Sequence, residues 1–426
     1  MRKGLVTILA LAVLTATALY AGGSASKSTA PAGTASSTTA AGTTTVEFFA
    51  LKSEVTDIMN KLIGDFEKQN PGVHIEYTVT PDPWGVLTTR MMGNDTPEIF
   101  MTWGGPDFRS WVANGYLADL SGSAAIANVS QDALDMLRVN GKDFLVPIAR
   151  NVLGLFINTD MYKQNNLNPP TTWTELLRAC DTFKAAGITS ILIDGKDVDS
   201  IDEETQVHLL TMPSWPALDS DIQKKVVDFS SQSKPYYQDI RDMAKRVIQI
   251  YGYAQADVMG AGADQVRDDF AAGKGAMYID GSWGIASISG ANANLNYKMI
   301  PYPAATAQAT RIAYAPDDLA VAYSAKAKHP DIAQKFLAFL TSKDAAQYYA
   351  EQTGTLSCIK SVTYSSPYLK DVYDAINAGK GVAYPNYEWS AEQMDGVSAA
   401  FQTLYSTKDV EAFCAALQTG LNSTGN

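Results

Sequence analysis

The strongest constraint on the fold lies between residues 46 and 102, where strand and helix patterns alternate. Residues 46–50 form a short apolar run, and apolar side chains then recur at helical spacing over residues 55–66. Residues 73–79 alternate apolar and polar side chains, as a half-buried strand does. A second helix after Trp84 and a strand over residues 98–102 repeat the pattern. Strand–helix–strand units build a parallel sheet, so the sequence predicts an α/β fold.

The loops after these three strands carry polar and aromatic side chains. Glu54 follows the first strand, Trp84 the second and Trp103 the third. Open parallel sheets bind ligands beyond the carboxyl ends of their strands. Glycine and proline beside both tryptophans place them in loops. We therefore expect Trp84 and Trp103 to converge on one sheet edge, with burial in the core as the alternative for each.

A second α/β region begins near residue 146. Residues 153–158 predict a buried strand, residues 172–175 form a Thr-x-x-Glu capping box that begins a helix, and residues 188–193 predict a further strand. Trp173 and Cys180 lie on the apolar stripe of that helix, so both are expected in the core.

The N-terminus has the pattern of an export signal. Two basic residues and an apolar run predict a signal peptide over residues 1–21, with an uncleaved membrane anchor as the alternative. Residues 22–45 are almost wholly Gly, Ala, Ser, Thr and Pro, which predicts a low-complexity tether. The first cysteine is Cys180, so we expect a periplasmic or cell-surface protein without a lipid anchor on an N-terminal cysteine. Whether Cys358 and Cys414 pair stays open.

Charge and motif content argue against several functional classes. With 45 acidic and 33 basic residues the net charge is −12, so nucleic acid and anionic membrane surfaces are not expected partners. His74, His208 and His329 lie far apart, which argues against a metal site or a catalytic triad. No hydrolase, Walker or dinucleotide motif occurs, so we expect neither a cofactor nor an enzyme. A secreted carbohydrate hydrolase or lyase using Asp317 and Asp318 is the open alternative.

Three segments resemble one known family. Residues 270–283 read F-A-A-G-K-G-A-M-Y-I-D-G-S-W and resemble the F-x-x-G-x-x-A-M-x-x-x-G-x-W segment of family 1 extracellular solute-binding proteins. Those proteins are relatives of the maltodextrin-binding protein and serve ATP-binding-cassette sugar importers. Residues 158–176 and 329–354 also resemble family segments, in the expected order.

The resemblance implies a two-lobed periplasmic-binding-protein fold of type II-like form, with the ligand in a cleft between lobes joined by hinge crossings. By analogy, lobe one comprises residues 46–150 plus 321–362, and lobe two comprises residues 151–320 plus 363–426. It also implies a carbohydrate ligand, ABC permease subunits as membrane partners, closure on the ligand and a monomeric protein. The alternatives are the same fold binding a non-sugar solute or presenting its ligand to a sensor.

A sugar presents C–H groups on its ring faces and hydroxyls at its rim, so its site needs aromatic planes and fixed hydrogen-bonding groups. We expect Gly281 to permit a tight turn that exposes Trp283 for stacking, with a core position for Trp283 as the alternative. The further ligand-binding residues that the resemblance implies are Glu54, Trp103, Asp107, Arg150, Asn151 and an aromatic residue from Tyr387 or Trp389.

Two additions come from this chain alone. Trp84 joins the expected site because it follows a strand end. Asp317 stands where many relatives of the resembled family carry glycine, and it is expected either to bind a sugar hydroxyl or to lie in a solvated loop. Arg150 also has two interpretations, since it could bind an acidic sugar or pair with a carboxylate across the cleft.

Overall fold

Strands and helices alternate along the described chain, which comprises residues 42–196, 198–364 and 366–423 of this computed structural model. The strands are β1 (Thr44–Ala50), β2 (Val73–Val79), β3 (Ile99–Met101), β4 (Val146–Asn158), β5 (Met277–Gly281), β6 (Tyr297–Ile300), β7 (Ile312–Tyr323), β8 (Leu356–Ser357) and β9 (Gly381–Ala383). The helices are α1 (Thr56–Gln69), α2 (Pro83–Met92), α3 (Pro106–Ala113), α4 (Gln131–Leu137), α5 (Thr159–Gln164), α6 (Trp173–Ala185), α7 (Val198–Leu210), α8 (Trp215–Gln223), α9 (Tyr237–Tyr251), α10 (Ala263–Ala271), α11 (Gly284–Ala291), α12 (Pro330–Leu340), α13 (Lys343–Thr353), α14 (Lys370–Ala375), α15 (Ala391–Thr407) and α16 (Val410–Leu421). The predicted signal peptide and most of the predicted tether lie outside the described residues.

The predicted parallel unit at the start of the domain is confirmed. β1 pairs in parallel with β2 and with β3, which gives the local order β2-β1-β3. α1 packs its apolar stripe, Met59, Leu62, Ile63 and Phe66, into the core. β1 begins at Thr44, two residues inside the predicted tether. The carboxyl ends of β1 and β3 therefore lie at the same edge of the sheet.

The long strands β4 and β7 connect the two halves of the sheet. Near its start β4 pairs antiparallel with β7, and further along it pairs with β5 and β6. The register shifts within the β4–β7 ladder, because Ala149 is opposite Leu319 whereas Asn151 is opposite Ala315. One β4 residue, Arg150, thus stands opposite residues 316–318 of β7. The predicted crossings fall on this strand pair, and the lobe boundaries stay a prediction.

The segment over residues 188–193 does not form the predicted strand. Its bridges are isolated: Thr189 and Leu192 bridge Gly275 and Tyr278 in one parallel register, and Ile191 bridges Ala254. The buried apolar run therefore lies beside the segment that leads into β5, but it pairs with that segment only at isolated positions and not as a continuous ladder. The predicted helix before this segment, α6, is confirmed: the Thr172 hydroxyl accepts from the Glu175 N–H at 3.3 Å, and Trp173 is buried.

The three cysteines lie in the core of the described chain. Cys180, Cys358 and Cys414 are all buried and unpaired. Burial raises the pKa of each thiol, as expected for inert core residues.

Within residues 42–196, 198–364 and 366–423, no helix has the length and apolarity needed to cross a bilayer.

A close helix crossing near the C-terminus gives a stability prediction. A Cβ atom on Gly396 of α15 would lie 2.5 Å from the Cα atom of Gly420 in α16. We expect Gly396→Ala to lower the free energy of unfolding by roughly 1–3 kcal/mol, because the two backbones must separate. Gly64→Ala in α1 is the matched control, since nothing lies within 4 Å of its new Cβ, and it should stabilise by up to about 1 kcal/mol. Urea unfolding measures both, and equal effects would contradict the packing argument.

Candidate functional site

A cavity of about 480 Å³ lies beside the β4–β7 pair, at the carboxyl ends of β1 and β3. The predicted site residues that line it are Glu54, Trp84, Trp103, Asp107, Asn151, Trp283, Asp317 and Tyr387. Three other predicted residues, Arg150, Gly281 and Trp389, are absent from its lining. The structure therefore brings together side chains that are up to 333 positions apart in the sequence, counted from Glu54 to Tyr387.

The predicted convergence of Trp84 and Trp103 is confirmed, although Trp84 lies in the first turn of α2 and not in a loop. Their ring centroids are 5.0 Å apart with an interplanar angle of 31°. The ring centroid of Trp111, in α3, lies 5.5 Å from that of Trp84. Trp103 is the most accessible of the three, with 37% of its surface exposed. The two inner rings fix the plane of Trp103, so it presents a preorganised aromatic face to the cavity.

Trp283 stands between the end of β5 and the start of α11, and it is partly buried. Its indole lies directly against the backbone of Gly281, because a Cβ atom on that glycine would approach the ring carbons Cη2 and Cζ3 to 2.1 Å. The expected tight turn is present at Ser282 and Trp283, directly after Gly281, but Gly281 itself ends a strand and its φ is not positive. Glycine is needed there because a side chain would displace the ring.

The buried carboxyl group of Asp317 lies on the floor of the cavity, 2% exposed. It does not occupy a solvated loop. Its Oδ2 accepts a hydrogen bond from the Gly104 N–H at 2.8 Å. Burial raises the pKa of Asp317 to about 6, although the Tyr387 hydroxyl and the Gly104 N–H both favour the ionised form. The carboxyl group is thus held in place as an acceptor next to the aromatic faces.

The neighbouring Asp318 also faces the cavity, which a regular strand would not allow because adjacent side chains alternate. The register shift in β7 removes this alternation. Asp318 accepts from Lys52 Nζ at 2.8 Å, and Lys52 lies 3.3 Å from Glu54. Burial disfavours the charged ammonium, but Asp318 and Glu54 together raise the pKa of Lys52 above its ordinary value. Lys52 is therefore a buried cation with two acidic partners.

Two predicted residues lie away from the cavity. Arg150 donates from Nη2 to Ser130 Oγ at 2.7 Å and pairs with Asp132 Oδ2 at 2.7 Å. It pairs with a carboxylate, as one of its two interpretations expected, but that carboxylate belongs to the neighbouring helix α4. Trp389 is 2% exposed and packs in the core, because the 3₁₀ turn Pro385–Glu388 carries Tyr387 to the cavity instead.

Sequence reasoning missed part of the lining. The residues not predicted include Lys52, Gln206, Asp318, Tyr384, Asn386, Met394 and Asp395. Asp395 and Met394 lie near the start of α15, which begins with a Ser390–Gln393 capping box. That motif, directly after Trp389, was a usable signal that the first turn of a helix follows the predicted aromatic segment.

Comparison with known proteins identifies the family. Residues 52–347 match the model of the bacterial extracellular solute-binding proteins. The chain belongs to this family. A relative from Streptococcus mutans, named multiple sugar-binding protein, is 26% identical over 389 residues, which cover 90% of each protein. The family is one of binding proteins, and the two-lobed α/β architecture expected from the sequence is confirmed.

Solved structures agree in fold. The solute-binding protein RafE in complex with raffinose matches with a TM-score of 0.82 at 24% identity, covering 89% of this chain and 99% of that one. A sugar transporter protein from Bacillus licheniformis in complex with stachyose matches with a TM-score of 0.73 at 19% identity, covering 89% and 99%. Each of these structures contains a bound oligosaccharide.

The raised pKa of Asp317 predicts a pH-dependent effect of Asp317→Asn. The folded state holds this proton more tightly than the unfolded chain, so ionisation destabilises the fold above about pH 6, and the penalty vanishes as the pH falls towards 4. At pH 7 the variant should gain up to about 3 kcal/mol in free energy of unfolding over the parent, at about 1.36 kcal/mol per pKa unit. Near pH 4 the difference should disappear.

Urea unfolding of both proteins between pH 4 and pH 7 measures this difference. The control is Asp264→Asn, whose side chain is 99% exposed and which should shift stability by no more than roughly 0.5 kcal/mol at any pH. A constant difference between Asp317→Asn and the parent across the pH range would contradict a raised pKa at this site.

Proposed function

We propose that this protein is the exported substrate-binding component of an ATP-binding-cassette importer, and that it binds a mono- or oligosaccharide between Trp103 and Trp283. The observation that carries the proposal is one cavity lined by these two aromatic faces and by buried hydrogen-bonding groups. A sugar ring matches that pattern, with its C–H faces on the indoles and its hydroxyls on the carboxylates. The cavity volume of about 480 Å³ also falls within the usual size of small-molecule sites.

The relatives support a sugar as the ligand. The Streptococcus mutans relative is named for binding multiple sugars, and the structural matches were solved with raffinose and stachyose. The cavity agrees with these ligands, because two aromatic side chains from different parts of the chain, Trp103 and Trp283, both line it. An oligosaccharide longer than one ring would be accommodated by extending from one indole towards the other.

Hinge closure is the proposed mechanism. The loops after β1 and β3 supply Glu54 and Trp103. The turn between β5 and α11 supplies Trp283, and α15 supplies Asp395, from beyond the β4–β7 pair. A bend in this irregular strand pair would open and close the cavity, and a ligand contacted by both sides stabilises the closed form. The closed, monomeric protein would then dock on the permease subunits in the membrane.

Binding rather than catalysis is also part of the proposal. The adjacent carboxylates Asp317 and Asp318, which suggested a hydrolase, already have structural partners in Gly104 and Lys52. The family matched by the chain is extracellular, which agrees with export to the periplasm or cell surface.

Replacing the main stacking residue tests the proposal. A thermal-shift screen of mono-, di- and oligosaccharides first identifies a ligand, and calorimetry then compares variants. Trp283→Ala should weaken binding at least tenfold, or about 1.4 kcal/mol, because one aromatic face is lost. Tyr373→Ala is the control, since Tyr373 is 46% exposed on α14 and does not line the cavity. Unchanged affinity in a folded Trp283→Ala variant would remove this residue from the site.

The glycine beneath the ring gives a second test that keeps the indole. Gly281→Ala places a methyl group where the Trp283 ring lies, so the ring must move and binding should weaken at least about threefold. Gly290→Ala, in the following helix α11, introduces a Cβ with nothing within 4 Å and should bind like the parent. If calorimetry gives the same dissociation constant for both variants, the position of the Trp283 ring does not affect sugar binding, which would contradict its role as a stacking face.

A further inference from the structure

We propose that this cavity selects saccharides by charge, accepting neutral and amine-bearing sugars and rejecting sugar acids. The inference rests on the proposed function and deepens it by naming the class of ligand. It is carried by the distribution of charged groups around the cavity and by one buried acceptor without a partner.

The charged groups that line the cavity are predominantly acidic. Five carboxyl groups face it, from Glu54, Asp107, Asp317, Asp318 and Asp395. Asp317, with a pKa of about 6, is mostly ionised at pH 7. Within the described chain, Lys52 is the one basic side chain among the lining residues. A ligand carboxylate placed in this cavity therefore meets a field of its own sign.

Neither nearby cation is available to neutralise such a ligand. Lys52 is 7% exposed and already bonds Asp318 at 2.8 Å. Giving up that bond would leave a buried aspartate without its counter-ion, which is strongly unfavourable. Arg150 does not line the cavity and is engaged by Asp132 and Ser130, each at 2.7 Å. The interpretation of Arg150 as a receptor for an acidic sugar is therefore disfavoured.

The acidic groups come from several elements of the fold. Glu54 and Asp107 follow β1 and β3, Asp317 belongs to β7, and Asp395 lies on α15. Since all of them line the cavity, the negative charge is supplied by several parts of the chain and not by one loop.

Asn151 adds an independent observation. Its side chain is 6% exposed and lines the cavity, and its Oδ1 atom has no hydrogen-bond partner among the residues that the structure describes. A buried acceptor without a partner is unfavourable unless a ligand supplies a donor. A hydroxyl or an ammonium group can donate to it, whereas a carboxylate can only accept. Asn151 thus favours a ligand that places a donor next to its Oδ1 atom, and it disfavours a carboxylate at that position.

A matched ligand series isolates the charge. The series consists of raffinose and three derivatives at C6 of its galactose unit: the amine, the uronate and the uncharged uronamide. The uronamide has nearly the shape of the uronate but is uncharged and adds N–H donors, so the salt and variant series below separates the effect of charge from that of hydrogen bonding. By calorimetry at pH 7 and low salt, we expect the uronate to bind at least about tenfold more weakly than the uronamide. The amine should bind at least as tightly as raffinose.

Salt and variants then locate the effect. Raising the ionic strength from about 0.02 M to about 0.5 M should bring the affinities for the uronate and the uronamide closer together, since salt screens the solvent-exposed part of the electrostatic field. Asp395→Asn and Asp107→Asn should each bring them closer together as well. Asp264→Asn, which lies outside the cavity and is fully solvated, should leave their ratio unchanged.

The outcomes separate the two proposals. Equal affinity for the uronate and the uronamide would overturn charge selection while leaving sugar binding intact. A ratio that neither salt nor the cavity variants change would overturn its electrostatic origin. If raffinose does not bind, the same series is made on the neutral saccharide found in the screen. If no saccharide of any charge binds, the proposed function itself fails.

Discussion

The irregular pairing of β4 with β7 is the constraint on which the rest of the structure depends. It joins the two halves of the sheet, and its register shift turns Asp317 and Asp318 towards one cavity. Lys52, at the end of β1, then holds Asp318 in a buried ion pair. Removing one partner of such a pair typically costs about 3–5 kcal/mol, so the end of β1 is tied firmly to the crossing strand. The aromatic and acidic sides of the cavity are positioned relative to this junction.

Much of the first part of the fold followed from sequence periodicity. The alternating and helical patterns over residues 46–102 gave the β2-β1-β3 arrangement, because local patterns decide these elements. The meeting of Trp84 and Trp103 followed from the rule that parallel strands end at one edge. The segment that ends in Trp283 was recognisable by its resemblance to a family, and the family assignment agrees with it. Eight of the eleven predicted site residues line the cavity, although their ligand contacts stay predictions.

The errors arose where tertiary structure overrides local pattern. Residues 188–193 are apolar enough for a strand and lie beside the segment that leads into β5, but they form only isolated bridges with their neighbours. Arg150 and Trp389 were judged by their positions in sequence, whereas the β4–β7 register and the turn before Trp389 direct them elsewhere. Adjacent side chains point apart in a regular strand, but Asp317 and Asp318 both face the cavity because the register shifts there. Gly281 precedes the expected turn, and its lack of a side chain also leaves room for the Trp283 ring.

The central claim is that a saccharide is bound between the two aromatic faces, on the acceptors beside the β4–β7 junction. The most direct measurement is a crystal structure of the protein with the tightest-binding neutral saccharide from a ligand screen. The account predicts a sugar ring packed against the Trp283 indole, with hydroxyl groups donating to Asn151 Oδ1 and to the Asp317 carboxylate. A saccharide bound outside this cavity, or one inside it that leaves the Trp283 ring uncontacted, would contradict the account.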